Sequence, residues 1–403
     1  MIKNLFFLQI KPQLIIMIIN QLAVVITIPF LAAKLDSSVF GIVSLSLILI
    51  QTGWIIADWG VANYSIEKWK QNATIFEKNK LTTNLIVSKF VLVILYLFFV
   101  GFLVLYDAIQ LPWPYFFIVI ISTISGAIYP FWFFTVNKIN NSLVFVTLIT
   151  RLSFLCLVFL LVNKNTGLIY MFLHASSFFV ITIYSFILMV KKCNYLFKGL
   201  EVKEITYHIK KGTNYFLNTI ATNNINMIWS FLFSITQGAY IVGVYNIAEQ
   251  GYRAGNTVSN MITNVIRLNT KSLNSKKTWS VVYFYICIYF FIALFSFLII
   301  EPLIKLLFDS KYYLSIDVLF ILIWVWFFQS CIRLLNYPIL GEMITLNKIH
   351  SFSPYIIFSH IFMFCVWFFY SGDILNFAIY FLVTSFFQFI FFILTIIKNT
   401  HKN

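Results

Sequence analysis

The sequence predicts an all-α polytopic membrane protein with about 12 transmembrane helices in two pseudo-symmetric six-helix lobes. Three observations carry this reading: the composition, a series of apolar stretches of membrane-spanning length, and a weak internal repeat. Hydrophobic residues make up 61% of the 403, and charged residues only 10%. Soluble domains average about half and about a quarter. So few charges could not cover the surface of a soluble chain this long.

Each element follows from the width of a bilayer, whose hydrocarbon core of about 30 Å takes about 20 apolar helical residues to cross. Such stretches run at about 13–33, 39–59, 84–106, 113–135, 143–162 and 168–190, and again at 214–235, 240–263, 280–300, 314–335, 351–371 and 374–397. The first follows Lys3 and Lys11, as a signal peptide would. It is too long for an h-region and has no small-residue cleavage site, so it is expected to stay as a span. Transmembrane strands read as alternating segments of about ten residues. Val91–Val100 and Val281–Phe295 are apolar without interruption, which favours helices. The connections at 137–141, 163–167 and 236–239 are a few residues long, so the helices they join are antiparallel.

Orientation follows from the tendency of cytoplasmic loops to retain Lys and Arg. With both termini inside, the inner segments hold twenty basic residues, among them Lys78, Lys80, Lys191, Lys192, Lys210, Lys211 and Arg267. The outer loops hold Lys34, Lys164, Lys305 and Lys311. This asymmetry also accounts for the net charge of +15, so no nucleic-acid partner is required. Cys156, Cys193, Cys287, Cys331 and Cys365 show no metal spacing and read as small buried hydrophobes.

The repeat appears on shifting the chain by 202 positions. Phe40-Gly41-Ile42 then lies over Val242-Gly243-Val244, Ser44 over Asn246, Gln51 over Arg253 and Asp58 over Asn260. Asn20 and Gln21 meet Thr222 and Asn223. Six spans precede the basic stretch Lys191–Lys211 and six follow it. The expected domains are therefore a lobe at 1–190, a cytoplasmic linker at 191–212 and a second lobe at 213–403.

Polar side chains at membrane depth usually face a bundle interior or a water-filled cavity. The seventh span carries Asn214, Asn218, Thr222 and Asn226 on one face, and the eighth carries Glu249, Arg253, Asn256, Asn260 and Asn264. The second span repeats the theme with Ser44, Gln51 and Asp58. These stripes lead us to expect a cleft lined by spans 1, 2, 7 and 8. The plainer alternative is interhelical hydrogen bonding worth about 1 kcal/mol or less per side chain. Gly251 and Gly255 read as a close helix contact within the chain rather than a dimer seam.

Among the deep charges, Arg151 lies about nine residues into the fifth span, near the midplane. Arg253 and Glu249 are spaced to pair with each other. Lys89 and Arg333 are close to helix ends, where snorkelling is the expectation. Asp58 can cap its helix, pair with Lys68 or Lys70, or titrate. There is no GxSxG, Walker A or HExxH motif. The histidines are scattered, and neither a cofactor nor a metal site is expected.

Leu35-Asp36-Ser37-Ser38-Val39-Phe40-Gly41-Ile42, followed by Ile56-Ala57-Asp58-Trp59-Gly60-Val61, resembles the opening of the O-antigen and polysaccharide-repeat flippases of the Wzx type. These belong to the multidrug/oligosaccharidyl-lipid/polysaccharide exporter superfamily. Val242-Gly243-Val244-Tyr245-Asn246-Ile247-Ala248 is similar to the corresponding later stretch, and Trp59 stands where the family usually has Phe. The resemblance implies a MATE-like fold and no enzymatic activity. It also implies an undecaprenyl-pyrophosphate-linked oligosaccharide as substrate, flipped to the periplasmic leaflet of the bacterial inner membrane by ion-coupled alternating access.

On that reading Arg151 and Arg253 are counter-ions to the pyrophosphate, for which the guanidinium fork suits phosphate oxygens. Gln51, Asn218, Thr222, Asn226, Asn256 and Asn260 would meet sugar hydroxyls, and Asp58 and Glu249 would carry the coupling proton or sodium ion. The implied partners are membrane lipids, a polysaccharide polymerase and a chain-length regulator. Two competitors are an exporter of drugs or acidic solutes from the same superfamily and a membrane enzyme of polysaccharide assembly. The short outer loops count against the enzyme.

Overall fold

The computed structural model describes residues 2–61, 69, 73–137, 141–270, 275–335, 346–370 and 372–400. Among these, every regular element is a helix. In chain order they are α1 (Ile2–Lys34), α2 (Ser37–Asp58), α3 (Ile75–Leu105), α4 (Trp113–Ile128), α5 (Phe131–Val136), α6 (Asn141–Leu161) and α7 (Gly167–Cys193). Then come α8 (Val202–Thr219), a π-helical turn (Ile220–Asn224), α9 (Ile225–Thr236), α10 (Ala239–Thr270) and α11 (Ser275–Leu307). A 3₁₀ turn (Ser310–Tyr312), α12 (Leu314–Leu335), α13 (Leu346–Tyr370) and α14 (Ile374–Thr400) complete the chain.

Eight of these stretches are long and apolar enough to cross a membrane. Shorter apolar helices cover Ile18–Lys34, Ile225–Thr236 and Pro354–Tyr370, and α10 is long but carries the polar stripe of the eighth predicted span. Outward-facing side chains such as Phe98 (74% exposed), Leu160 (76%) and Phe369 (79%) have no place in water, and lipid is their natural solvent.

Local chemistry explains where the elements begin and end. Helix α3 opens on a capping box: Thr74 Oγ1 accepts from the Glu77 amide at 3.2 Å, and the Thr74 amide donates to Glu77 Oε2 at 2.8 Å. The stretch predicted as one span at 113–135 is broken between α4 and α5 at Tyr129–Pro130, because Pro130 has no N–H to continue the ladder. Helix α8 begins at Val202, inside the stretch predicted as a linker. Its buried residues Ile205, His208, Gly212 and Phe216 recur at helical spacing.

The chain divides into two compact units: Met1–Phe216 with Phe233–Tyr240, and Leu217–Leu232 with Ile241–Asn403. In the first, α2 packs on α3 and α4, α7 packs on α4 and α6, and α6 packs on α1. A Cβ on Gly41 would meet the Ala239 carbonyl oxygen at 1.9 Å, so the start of α2 can touch that backbone only as glycine. The end of α2 is held as firmly. Trp59 adopts a left-handed conformation (φ 39°), stacks on Phe216 at 3.9 Å between ring centres, and donates from Nε1 to Thr213 Oγ1 at 3.1 Å.

In the second unit α12 packs on α11 and α14, and α14 packs on α13. Gly251 and Gly255 of α10 lie under Leu319 and Trp326 of α12, the helix contact within the chain that their spacing suggested. The π turn rests on α12 and α13, and its Ala221 carbonyl accepts from Gln388 Nε2 at 2.9 Å. A π turn disturbs the normal i→i−4 ladder, so a buried carbonyl there must find a partner elsewhere. Gln388 in turn accepts from Gln329 Nε2 at 3.0 Å and lies 3.2 Å from His360 Nε2, whose Nδ1 accepts from Trp229 Nε1 at 2.9 Å.

Candidate functional site

The first unit buries Arg151 to 4% exposure on α6. Its Nε donates to Asn20 Oδ1 at 2.7 Å and its Nη1 to Ser177 Oγ at 2.9 Å, while the guanidinium carbon sits 4.1 Å from the centre of the Phe178 ring. No carboxylate lies within ion-pair distance of it among the described residues, whose ion pairs in this unit engage lysines and His208. Trp54, Phe154, Tyr170 and His174 build the surrounding wall, with Trp54 on Phe178 at 4.5 Å and His174 on Phe178 at 5.0 Å. His174 Nδ1, Thr147 Oγ1 one turn before Arg151, Gln21 Nε2 beside Asn20 and the Tyr129 hydroxyl are buried there or nearby without a hydrogen-bond partner. The guanidinium thus sits among polar atoms whose hydrogen bonds are not all made.

At the end of α2, Asp58 Oδ1 accepts from Lys89 Nζ at 2.6 Å. Lys89 is only 7% exposed, so it does not snorkel as its position near a helix end suggested. It turns inward because a carboxylate one helix away compensates its charge. Lys68 and Lys70, the partners considered for Asp58, lie outside the described residues. Gln51, two turns earlier on α2, is half-buried and its Oε1 has no partner.

The second unit gathers Glu249, Arg253, Asn256 and Asn226. Glu249 is fully buried; its Oε1 accepts from Arg253 Nη2 at 2.6 Å and from the Ser230 hydroxyl, while Oε2 has no partner. Arg253 also approaches Met227 Sδ at 3.4 Å. Asn226 is buried on α9, one turn before Ser230, and its carbonyl accepts from the Ser230 hydroxyl at 2.8 Å. Asn218 and Asn260 are half-buried, and the side chain of Thr222 lies outside the described ones.

The stripe continues to a residue that sequence reasoning misplaced. Arg333, expected to snorkel, is 1% exposed. Its Nη2 donates to Asn256 Oδ1 at 2.6 Å and to the hydroxyls of Ser259 and Ser330, both at 3.0 Å. It turns inward because the α10 stripe offers it oxygen acceptors. The available signal was the i, i+3, i+4, i+7 placement of Trp326, Gln329, Ser330 and Arg333 on one face of α12. Among the described residues no group of three His, Cys, Asp or Glu side chains is placed to hold a metal ion.

This architecture is that of the MATE transporters. An inward-facing multidrug resistance MATE family transporter of the MOP superfamily superposes with a TM-score of 0.57 at 11% identity, over 94% of this chain and 99% of that one. A eukaryotic MATE transporter, AtDTX14, is matched at 16% identity with a TM-score of 0.44, over 98% of this chain and 93% of that one. Residues 13–267 match the model of the polysaccharide biosynthesis protein family, and the chain belongs to that family. No curated protein matches its sequence. The chain is thus a multi-pass membrane protein of the polysaccharide biosynthesis protein family with a MATE-like fold.

Proposed function

We propose that the protein is a flippase for a polyprenyl-pyrophosphate-linked oligosaccharide, the repeat unit of an O-antigen or other surface polysaccharide. It moves this lipid from the cytoplasmic to the periplasmic leaflet of the bacterial inner membrane by ion-coupled alternating access, with both termini in the cytoplasm. The observation that carries the reading is Arg151, a buried guanidinium held by neutral groups alone. An Arg at the centre of a membrane helix costs about 2.5–3.5 kcal/mol on insertion scales, so one without a carboxylate points to a mobile anion. The description of the family supports a polysaccharide precursor as the molecule that brings it. Gln51, Asn218, Thr222, Asn226, Asn256 and Asn260 are the side chains we assign to sugar hydroxyls. Of the two carboxylates proposed for ion coupling, Glu249 has an unpartnered oxygen to receive a cation, whereas Asp58 is engaged by Lys89.

A second reading comes from the structural neighbour described as a multidrug resistance transporter. Export of an acidic solute fits Arg151 as well as a lipid pyrophosphate does, and export of organic cations fits it poorly. Proteoliposomes holding the purified protein and an undecaprenyl-pyrophosphate-linked oligosaccharide separate these readings. We expect the sugar to become accessible to an external glycosidase only in vesicles that contain the protein. Vesicles that move organic acids but leave the lipid-linked sugar in place would replace the flippase reading with the second one.

A further inference from the structure

We infer that Arg333, more than Arg253, is the anion-binding arginine of the unit formed by 217–232 and 241–403, and that Trp326 supplies a second donor to the same anionic oxygen ligand. The inference rests on the reading above, that the transported lipid carries a pyrophosphate. Arg253 and Arg333 differ in what already surrounds them. Arg253 is 2.6 Å from the Glu249 carboxylate, one turn away on its own helix, and that pair is close to neutral. The other ion pairs of this unit among the described residues engage Lys305 and Lys311. Among the described residues the hydrogen-bond partners of Arg333 are the amide oxygen of Asn256 and the hydroxyls of Ser259 and Ser330, with no carboxylate at ion-pair distance.

The hydrogen-bonding groups on this face of α12 are not all met. Among the described residues Arg333 Nε is buried without a partner, as Arg253 Nε is. Only on this face do an unpartnered indole donor, Trp326 Nε1 two turns earlier, and an unpartnered acceptor, Gln329 Oε1, accompany it. The Trp326 and Arg333 side chains reach neighbouring positions of α10. Trp326 Nε1 lies 2.9 Å from where a Cβ of Gly255 would stand, and Arg333 Nη2 lies 2.6 Å from Asn256 Oδ1. Tyr289 of α11 closes the third side, its ring 5.6 Å from that of Trp326 and its hydroxyl donating to the Ser259 carbonyl at 3.4 Å. Among the described residues, three helices thus converge on two N–H groups with no acceptor and on one positive charge with no carboxylate beside it. A phosphate oxygen supplies both acceptor and charge. A purely structural arginine would clamp α12 to α10 without needing the indole donor, and this difference makes the two roles separable.

The test uses the full-length protein in lipid nanodiscs, with undecaprenyl pyrophosphate as the probe and undecaprenol as its uncharged counterpart. Wild type is expected to prefer the pyrophosphate. Arg333→Gln should weaken that binding about ten- to a hundredfold, as loss of a charge-assisted contact does. Arg333→Lys should weaken it less, Trp326→Phe several-fold, and Arg253→Gln less than Arg333→Gln. Undecaprenol binding should not move in any of them, and Lys305→Gln should match wild type. A monodisperse Arg333→Gln protein with wild-type affinity would overturn the inference, as would a greater loss at Arg253→Gln. If Arg333→Gln does not fold, unchanged affinity in both Arg333→Lys and Trp326→Phe overturns it instead. Failure of wild type to distinguish the pyrophosphate from the alcohol would sink the pyrophosphate reading and this inference together, whereas unchanged binding in the variants sinks this inference alone.

Discussion

Glu249 and Arg253 form an ion pair of 2.6 Å one helical turn apart, with the carboxylate fully buried and the guanidinium side chain 11% exposed. Breaking a buried pair from one side strands the other charge and costs about 3–5 kcal/mol. Arg253→Ala should therefore lower the amount of folded protein in the membrane, and the double variant with Glu249→Ala should restore it. Western blotting of membrane fractions and detergent thermal melts read this directly. Normal abundance of the single variant, with export lost, would instead make Arg253 a substrate contact.

The start of α2 gives a packing prediction with its own control. A methyl group on Gly41 would press on the Ala239 carbonyl, and the backbone there has nowhere to go. Gly41→Ala should destabilise by about 1–3 kcal/mol or more, as overpacking does. Gly238, one residue before Ala239, has nothing within 4 Å of its missing Cβ, so Gly238→Ala should melt like wild type. Equal melting temperatures for the two variants would remove the contact.

His208 sits on α8 ahead of the seventh predicted span, 3.8 Å from Glu204. Burial pushes its imidazole below the usual value of 6.5, and the Glu204 carboxylate opposes that push in part. With the folded value depressed, the neutral ring favours the docked helix. The stability it contributes is present above about pH 6.5 and is lost as pH falls from there towards the folded value. Amide protection factors across 202–216, exchange corrected for its intrinsic pH dependence, should therefore fall below pH 6.5 in wild type, and His208→Gln should flatten that dependence. A wild-type profile that is flat down to pH 5 would refute it.

The helical class was legible because lipid imposes one rule on every span: about twenty apolar residues with the backbone satisfied internally. The break at Pro130 was read through as part of one span although the chain itself carries its cause. The π turn at Ile220–Asn224 was not legible, because it is steadied by Gln388, far along the sequence. Arg151 could be found from depth alone, with no acidic residue near it in the chain. Arg333 and Lys89 were misread for the opposite reason: both lie near helix ends, and their inward turn depends on Asn256, Ser259 and Asp58 arriving from other helices.

The orientation proposed from basic residues can be checked by labelling. Cysteines placed at Gln110 or Asp373 should react with impermeant maleimides in intact cells, and one at Asn194 should not. All three backbone sites are described, and Asp107, Asn194 and Gly372 hold positive φ, as tight turns at helix ends do. Labelling of Asn194 from outside would reverse the topology.

Arg151 gives the most direct prediction for export. Its partners Asn20 and Ser177 are neutral, so removing the guanidinium strands no opposite charge, and Arg151→Gln keeps a donor for Asn20 Oδ1. The variant should therefore insert and accumulate normally while losing most of its export. Arg151→Lys should recover part of that export, since it keeps the charge but not the fork. The structural alternative has Arg151 bracing α6 against Phe178 and Ser177, and it predicts a different pattern. In that case the Gln and Lys variants would both melt at lower temperature, and export per folded molecule would stay at the wild-type level. Measuring surface polysaccharide alongside membrane abundance in one strain gives the ratio that separates the two. Wild-type export per molecule in Arg151→Gln would remove Arg151 from the substrate site.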